Sequence, residues 1–220
     1  KAKNGTLKPV IGREKEQRRV MHILLRDTKN NPMLLGPTGI GKTSIVEGFA
    51  KALAENRVPP KLQGRSLVGV DIATMMIDSK TQAEYEEHLK EAFQQIQAAG
   101  DRMILYINDL GFLARTPNGN PEIPKFLKPK VLDGGIKCVV EAELNAFKQY
   151  IEQDPDLMSC LQTMYVEEPT PAETTDILRG LGKHLEKKYQ IQIADDIVQN
   201  AVSMAGRYVK SRLFPEKAID

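Results

Sequence analysis

Net charge is what this 220-residue chain has least of: 31 Lys and Arg face 29 Asp and Glu, a formal +2. A balance that close offers no electrostatic footing for a nucleic-acid or membrane surface. Long hydrophobic runs are missing too; the longest are strand-sized, far short of the roughly 20 residues a membrane span needs. The polar opening "KAKNGTLKPV" carries no signal-peptide pattern. Cysteine is scarce: Cys138 and Cys160, in no C-x-x-C pattern, are expected to be reduced thiols, one on a strand and one on a helix, in a cytoplasmic protein. The three histidines, His22, His88 and His184, fall in separate helical patterns and gather no metal site. Repeats and low-complexity tracts are absent.

What is present alternates. "NPMLLG" (31–36), "SLVGVDI" (66–72), "MILYI" (103–107), "IKCVV" (136–140) and "TMYV" (163–166) are apolar runs of the kind buried parallel strands require. Amphipathic stretches separate them. Over 82–97, Tyr85, Leu89, Phe93 and Ile96 recur at helical spacing with Glu and Lys opposite. The pattern predicts an α/β fold, a three-layer αβα domain around a parallel five-stranded sheet. "TPNGNPEIPK" (116–125) is a loop by composition. "EEPTPAET" marks a second break, with Thr170 or Pro171 placed to start a helix. Strands stop there, so a large domain over 1–168 and a small helical domain over 169–220 are expected.

"LLGPTGIGKTSIVEGFA" carries G-x-x-x-x-G-K-[ST] from Gly36 to Thr43, after a predicted strand and opening a predicted helix. Gly36, Pro37, Thr38, Gly39, Ile40 and Gly41 form a turn whose N–H groups can cradle phosphate, with the helix dipole behind them. Lys42 is expected to reach the β- and γ-phosphates of ATP. The Thr43 hydroxyl is expected to ligate Mg2+, with Ser44 beside it.

The stretch "PVIGREKEQRRVMHILLRDTKNNPMLLGPTGIGKTSIVEGFAKAL" resembles the first ATPase module of the Clp-type AAA+ unfoldases and disaggregases. So do "VPPKLQGRSLVGVDI", "AEYEEHLKEAF", "FLKPKVLDGGIKC", "KQYIEQDPDL", "EEPTPAETTDILRGL" and "RYVKSRLFPEKAID". The resemblance runs along the whole chain in order. It implies an AAA+ large domain and a small helical domain that stops early, with ATP or ADP as cofactor. Val10 and Ile11 would line the adenine pocket, and Arg212 and Lys217 are candidate contacts to phosphate or base. It further implies six-membered rings of AAA+ subunits and polypeptide clients handled through a parent protein.

Departures from the family pattern fall on its working parts. Where the family places Asp-Glu to hold magnesium's shell and polarise water, this chain has Asn108 and Asp109. The resemblance therefore makes Asp109 a shortened base and Asn108 a degenerate magnesium anchor, a neutral amide in place of a charge. Glu141, Ala142 and Glu143 stand where a Thr would read the γ-phosphate, and a carboxylate there is expected to repel. Ser159 and Cys160 replace the Arg pair that reaches a neighbour's site. At the pore segment, Lys80, Thr81, Gln82 and Ala83 supply no aromatic; Tyr85 is expected in the core. The reading that follows is a module that binds nucleotide and supports ring assembly with weak or no hydrolysis. A slow ATPase using Asp109, and a scaffold with a vestigial phosphate loop, stand as alternatives.

Overall fold

The computed structural model describes residues 7, 9–70, 72–79, 81–110, 129, 131 and 135–220. The loop expected over 116–125 and Lys80 of the pore segment lie outside the described residues. All five expected strands form: β1 (Asn31–Leu35), β2 (Ser66–Gly69), β3 (Met103–Ile107), β4 (Lys137–Ala142) and β5 (Leu161–Tyr165). They pair in parallel in the order β2-β3-β4-β1-β5. Parallel strands need covered faces, because helices make the crossovers. The interior strand β1, flanked by β4 and β5, is accordingly buried at every residue.

Side chains alternate between the faces with period two. Leu34, Ile104, Val139 and Met164 pack beneath α1 (Glu14–Leu24) and α2 (Lys42–Ala54), joined by Val20, Ile45 and Phe49. Met33, Leu35, Leu105, Ile107, Cys138 and Val140 face the other way. There they meet α4 (Gln82–Ala98), α5 (Leu144–Tyr150) and α6 (Pro155–Cys160). A short helix, α3 (Ile72–Asp78), precedes α4. Tyr85, Leu89, Phe93 and Ile96 all lie in that second core, as their spacing predicts. Cys138 and Cys160 are buried free thiols on β4 and α6.

Two boundaries differ from the sequence reading. β2 stops at Gly69, short of residue 72, and α3 begins at Ile72. β4 runs on to Ala142, because Glu141 and Ala142 pair with Leu34 and Leu35 of β1. The strand expected over 136–140 stops short of Glu141; pairing with β1 carries that residue into the sheet at 3% exposure.

Thr170 caps the next helix, α7 (Pro171–Tyr189), through a reciprocal capping box with Glu173, and Pro171 occupies its first turn. α8 (Asp195–Tyr208) packs on α7, and α9 (Glu216–Ile219) closes the chain. Val202, Ala205 and Phe214 form a small core between them, with Leu178 and Ala218 against it. No helix among the described residues is long and apolar enough to cross a membrane.

Asn31 is the polar tie at the start of the sheet. At 1% exposure, its Oδ1 accepts from the Cys138 N–H (2.8 Å) and its amide donates to the Cys160 carbonyl (3.3 Å). Asn31→Ala leaves both backbone groups buried and unpaired, a cost of about 1–3 kcal/mol each in this setting. Urea denaturation should therefore show a loss of at least about 2 kcal/mol; a loss within 0.5 kcal/mol or so contradicts this role.

Candidate nucleotide-binding site

The turn between β1 and α2 is built as a cradle. Gly39 (φ +84°) and Gly41 (φ +93°) occupy left-handed backbone that side chains resist, and Gly41 leads directly into the first turn of α2. Ile40 plugs into the core at 1% exposure, anchoring the turn from below. Lys42 is 9% exposed, and its ammonium donates to the carbonyls of Gly36 (2.8 Å) and Pro37 (2.7 Å). Arg13 holds the other flank: buried, it donates to the Ile40 carbonyl (2.6 Å), the Glu167 carbonyl (3.2 Å) and the Glu16 carboxylate (2.6 Å). Sequence reasoning quoted Arg13 within "VIGRE" and gave it no role. A base following a glycine carries no local signal of burial.

A cleft of about 390 Å3 opens above this turn, within the range of small-molecule sites. Its floor runs from Thr38 to Ser44. Asn108 and Asp109 beyond β3 and Glu141 to Glu143 at the end of β4 make one wall. Pro215, Glu216, Ile219 and Asp220 close the opposite side. Glu216 sits so close that a Cβ on Gly39 would meet its carboxylate at 2.0 Å.

Acid lines the wall. Glu141 lies on the sheet face toward α2, in step with Val139. Its Oε1 accepts from the Tyr106 hydroxyl (2.6 Å) and its Oε2 from the Thr43 hydroxyl (3.2 Å). Burial raises Glu141 from an ordinary 4.5 to about 7, against the lowering pull of the Tyr106 hydrogen bond, Lys42 and Thr43. Burial likewise raises Tyr106, helped by the Glu141 charge. Lys42 is lowered by burial, while Glu141, Glu143 and Asp109 counter that shift. Glu143 accepts a short hydrogen bond from the Thr38 hydroxyl. Glu141, expected to repel triphosphate, is hydrogen-bonded here to the Thr43 hydroxyl of the phosphate loop.

The remaining sequence candidates scatter. Val10 and Ile11 are half-buried and do not line the phosphate cleft. Ile11 packs where Gly180 of α7 lacks a side chain, since a Cβ there would come within 2.1 Å. Lys217 pairs with Glu168 (3.5 Å) and stacks over the Phe214 ring (3.9 Å), and Arg212 pairs with Asp220. Lys217 is thus engaged by an acid just ahead of the helical segment and a ring within it, and Arg212 by the segment's own acid. Ser159 is exposed and Cys160 buried, so neither offers a cation to a neighbour. Thr81 caps α4 through the Glu84 N–H, and Ala83 follows on its surface. Tyr85 is 3% exposed and packs in the core with Leu89 and Phe93 rather than at a pore, its hydroxyl without a hydrogen-bond partner among the described residues.

These donors suit a magnesium–nucleotide complex. A glycine turn, a helix N-terminus and an ammonium address phosphate, and a hydroxyl beside a buried carboxylate addresses a hard cation. Among the described residues no three His, Cys, Asp or Glu gather as a metal cage. The ion would come with the phosphates, as magnesium commonly does.

Comparison with known proteins decides the family. The model described as "ATPase family associated with various cellular activities (AAA)" matches residues 32–125, and the AAA lid domain model matches 170–220. The ATP-binding subunit ClpC of the ATP-dependent Clp protease from Staphylococcus aureus (strain USA300) is 40% identical over 221 residues, covering 100% of this chain and 27% of its own. The chaperone protein ClpB of Aquifex aeolicus (strain VF5) is 39% identical over the same span, 22% of its length. The S. cerevisiae Hsp104–ADP complex superposes with a TM-score of 0.90 at 34% identity, covering 100% of this chain and 38% of that one. This chain is a Clp-type AAA+ module. It spans about a quarter of the curated relatives it matches.

In this Clp-type module the buried acid carries a pH signature. The folded chain holds the Glu141 proton more tightly than the unfolded chain does. That stability is complete below about pH 4.5 and is lost as pH rises through about 7. At about 1.4 kcal/mol per unit, up to about 3 kcal/mol is at stake. With magnesium chelated, Glu141→Gln should gain about 2 kcal/mol or more on the parent between pH 5 and pH 8 in urea denaturation. A difference independent of pH contradicts the buried placement.

Proposed function

We propose that this module binds ATP and uses the bound nucleotide to support assembly with neighbouring AAA+ subunits, hydrolysing it slowly or not at all. The observation that carries the reading is the contrast within one cleft. The phosphate-loop residues Gly36, Pro37, Thr38, Gly39, Ile40, Gly41, Lys42, Thr43 and Ser44 keep their pattern. The acids that follow β3 are reduced to Asn108 and Asp109. Val10 and Ile11, carried by the same segment as Arg13, remain the proposed adenine neighbours, and the domain division near residue 169 is part of the same proposal.

Asn108 is neutral and cannot supply the charge an Asp gives a divalent shell. Asp109 is one methylene shorter than Glu, and a misplacement of about 1 Å can cost about 100-fold. General-base assistance contributes roughly 10²–10⁴-fold. An arginine finger contributes about 10³–10⁵, and Ser159 and Cys160 offer none to the next subunit. These factors do not add; any one of them takes a typical turnover of about 10 s⁻¹ to about 0.1 s⁻¹ or lower.

Binding alone can still do work. A ligand that bridges the phosphate loop, the helical segment and a neighbour stabilises whatever state it bridges. The wall made by Pro215 and Glu216 supports such bridging within one chain. Ring formation in sixes and the handling of polypeptide clients follow by analogy with the chaperone and protease-subunit relatives. A second reading, a slow ATPase with Asp109 as base, is favoured by the placement of Asp109 on the cleft wall.

Calorimetry and steady-state phosphate release on the same sample separate these readings. ATP should bind, Lys42→Ala should weaken it at least about tenfold as a buried charged donor is lost, and phosphate release should stay below about 0.1 s⁻¹. Release above about 1 s⁻¹ that Asp109→Asn abolishes establishes the slow-ATPase reading instead. Absence of ATP binding leaves only a scaffold.

A further inference from the structure

The acid missing from β3 has a neighbour one strand away. β3 and β4 are in register through Ile107↔Val140, so Asn108 and Glu141 are the next positions along the two strands. Adjacent strands lie about 4.8 Å apart, a distance a glutamate side chain can span. Alternation puts Tyr106, Glu141 and the start of α2 on the same face of the sheet. The Thr43 hydroxyl, the phosphate-loop group suited to magnesium, is hydrogen-bonded to Glu141 Oε2 at 3.2 Å. Tyr106 holds the other oxygen at 2.6 Å.

We propose that Glu141 supplies, from β4, the magnesium-facing carboxylate that Asn108 cannot supply from β3. Magnesium is held through one or two carboxylates, the substrate phosphates and several retained waters, so a single oriented acid beside Thr43 is sufficient. Tyr106 acts as the positioning residue, fixing the carboxylate as outer partners fix metal-site acids. At 3% exposure an ionised Glu141 keeps two hydroxyl hydrogen bonds but no ion pair among the described residues, because the Lys42 ammonium donates to the Gly36 and Pro37 carbonyls. A divalent cation arriving with the triphosphate supplies the charge the site lacks. The same carboxylate that would repel bare ATP then favours the magnesium complex, which makes binding, rather than cleavage, metal-dependent.

This inference rests on the ATP-binding reading, and one set of titrations tells the two apart. Binding of the non-hydrolysable analogue AMPPNP is measured by calorimetry with Mg2+ and with EDTA, and Mn2+ retention on the AMPPNP complex is followed by electron paramagnetic resonance. The parent should bind AMPPNP at least about tenfold more tightly with Mg2+. Glu141→Gln should keep its EDTA affinity, lose most of the Mg2+ enhancement and release Mn2+. Glu141→Gln combined with Asn108→Asp should recover both, returning the acid to β3. The inference is overturned if Glu141→Gln keeps the Mg2+ enhancement, or binds the magnesium complex more tightly, which would mark the acid as purely repulsive. It is equally overturned if Glu141→Gln cannot bind even with EDTA, which would mark Glu141 as a support for the loop. A parent that binds no AMPPNP under either condition removes the ATP-binding reading and this inference together.

Discussion

Which side chains meet the phosphate loop is decided by strand alternation in a sheet covered on both faces. β3 and β4 end at the same edge as β1, and each sends every second residue toward α2. That constraint delivers Tyr106 and Glu141 to the underside of the cleft and commits Leu105, Ile107, Cys138 and Val140 to the opposite core. A slip of one residue in β4 would exchange Glu141 for Val140 and bury a carboxylate among the aromatic and aliphatic groups of α4. Register, core and site are therefore one property. The long apolar interface beneath α2 is what holds the acid still.

Charge is the second theme. The cleft gathers Lys42 on its floor and Asp109, Glu141 and Glu143 around it. A bare triphosphate would meet an acidic wall; a triphosphate carrying a divalent cation would meet a partly matched one. Cleavage asks for more than docking: a base of the right reach and a cation that follows the charge onto the leaving oxygens. Asp109 is short, and Ser159 and Cys160 carry no charge. The proposed function follows from that contrast: groups that bind a ground-state triphosphate are retained, and affinity is thereby separable from turnover.

Much of this was legible beforehand. Five apolar runs gave five strands, the 82–97 periodicity gave α4 with Tyr85 in the core, and the glycine pattern located the turn. What the residues alone could not give was long-range. Arg13 is buried because Ile40 and Glu167, far along the chain, present carbonyls to it. Glu141 lies beyond the strand expected over 136–140, because a one-dimensional pattern does not reveal that Leu34 and Tyr106 flank it. Lys217 looked like a free cation beside the nucleotide until Glu168 and the Phe214 ring claimed it. In each case a partner distant in sequence settled what a local pattern left open.

The central claim is that a triphosphate stays whole in this cleft. Its most direct test is the identity of the nucleotide that the protein retains. The purified chain, in excess over ATP and with Mg2+ present, is denatured in acid a few seconds after mixing and its nucleotide separated chromatographically. The account predicts that what is released is predominantly ATP. Recovery of ADP alone, formed within seconds of loading, would contradict it.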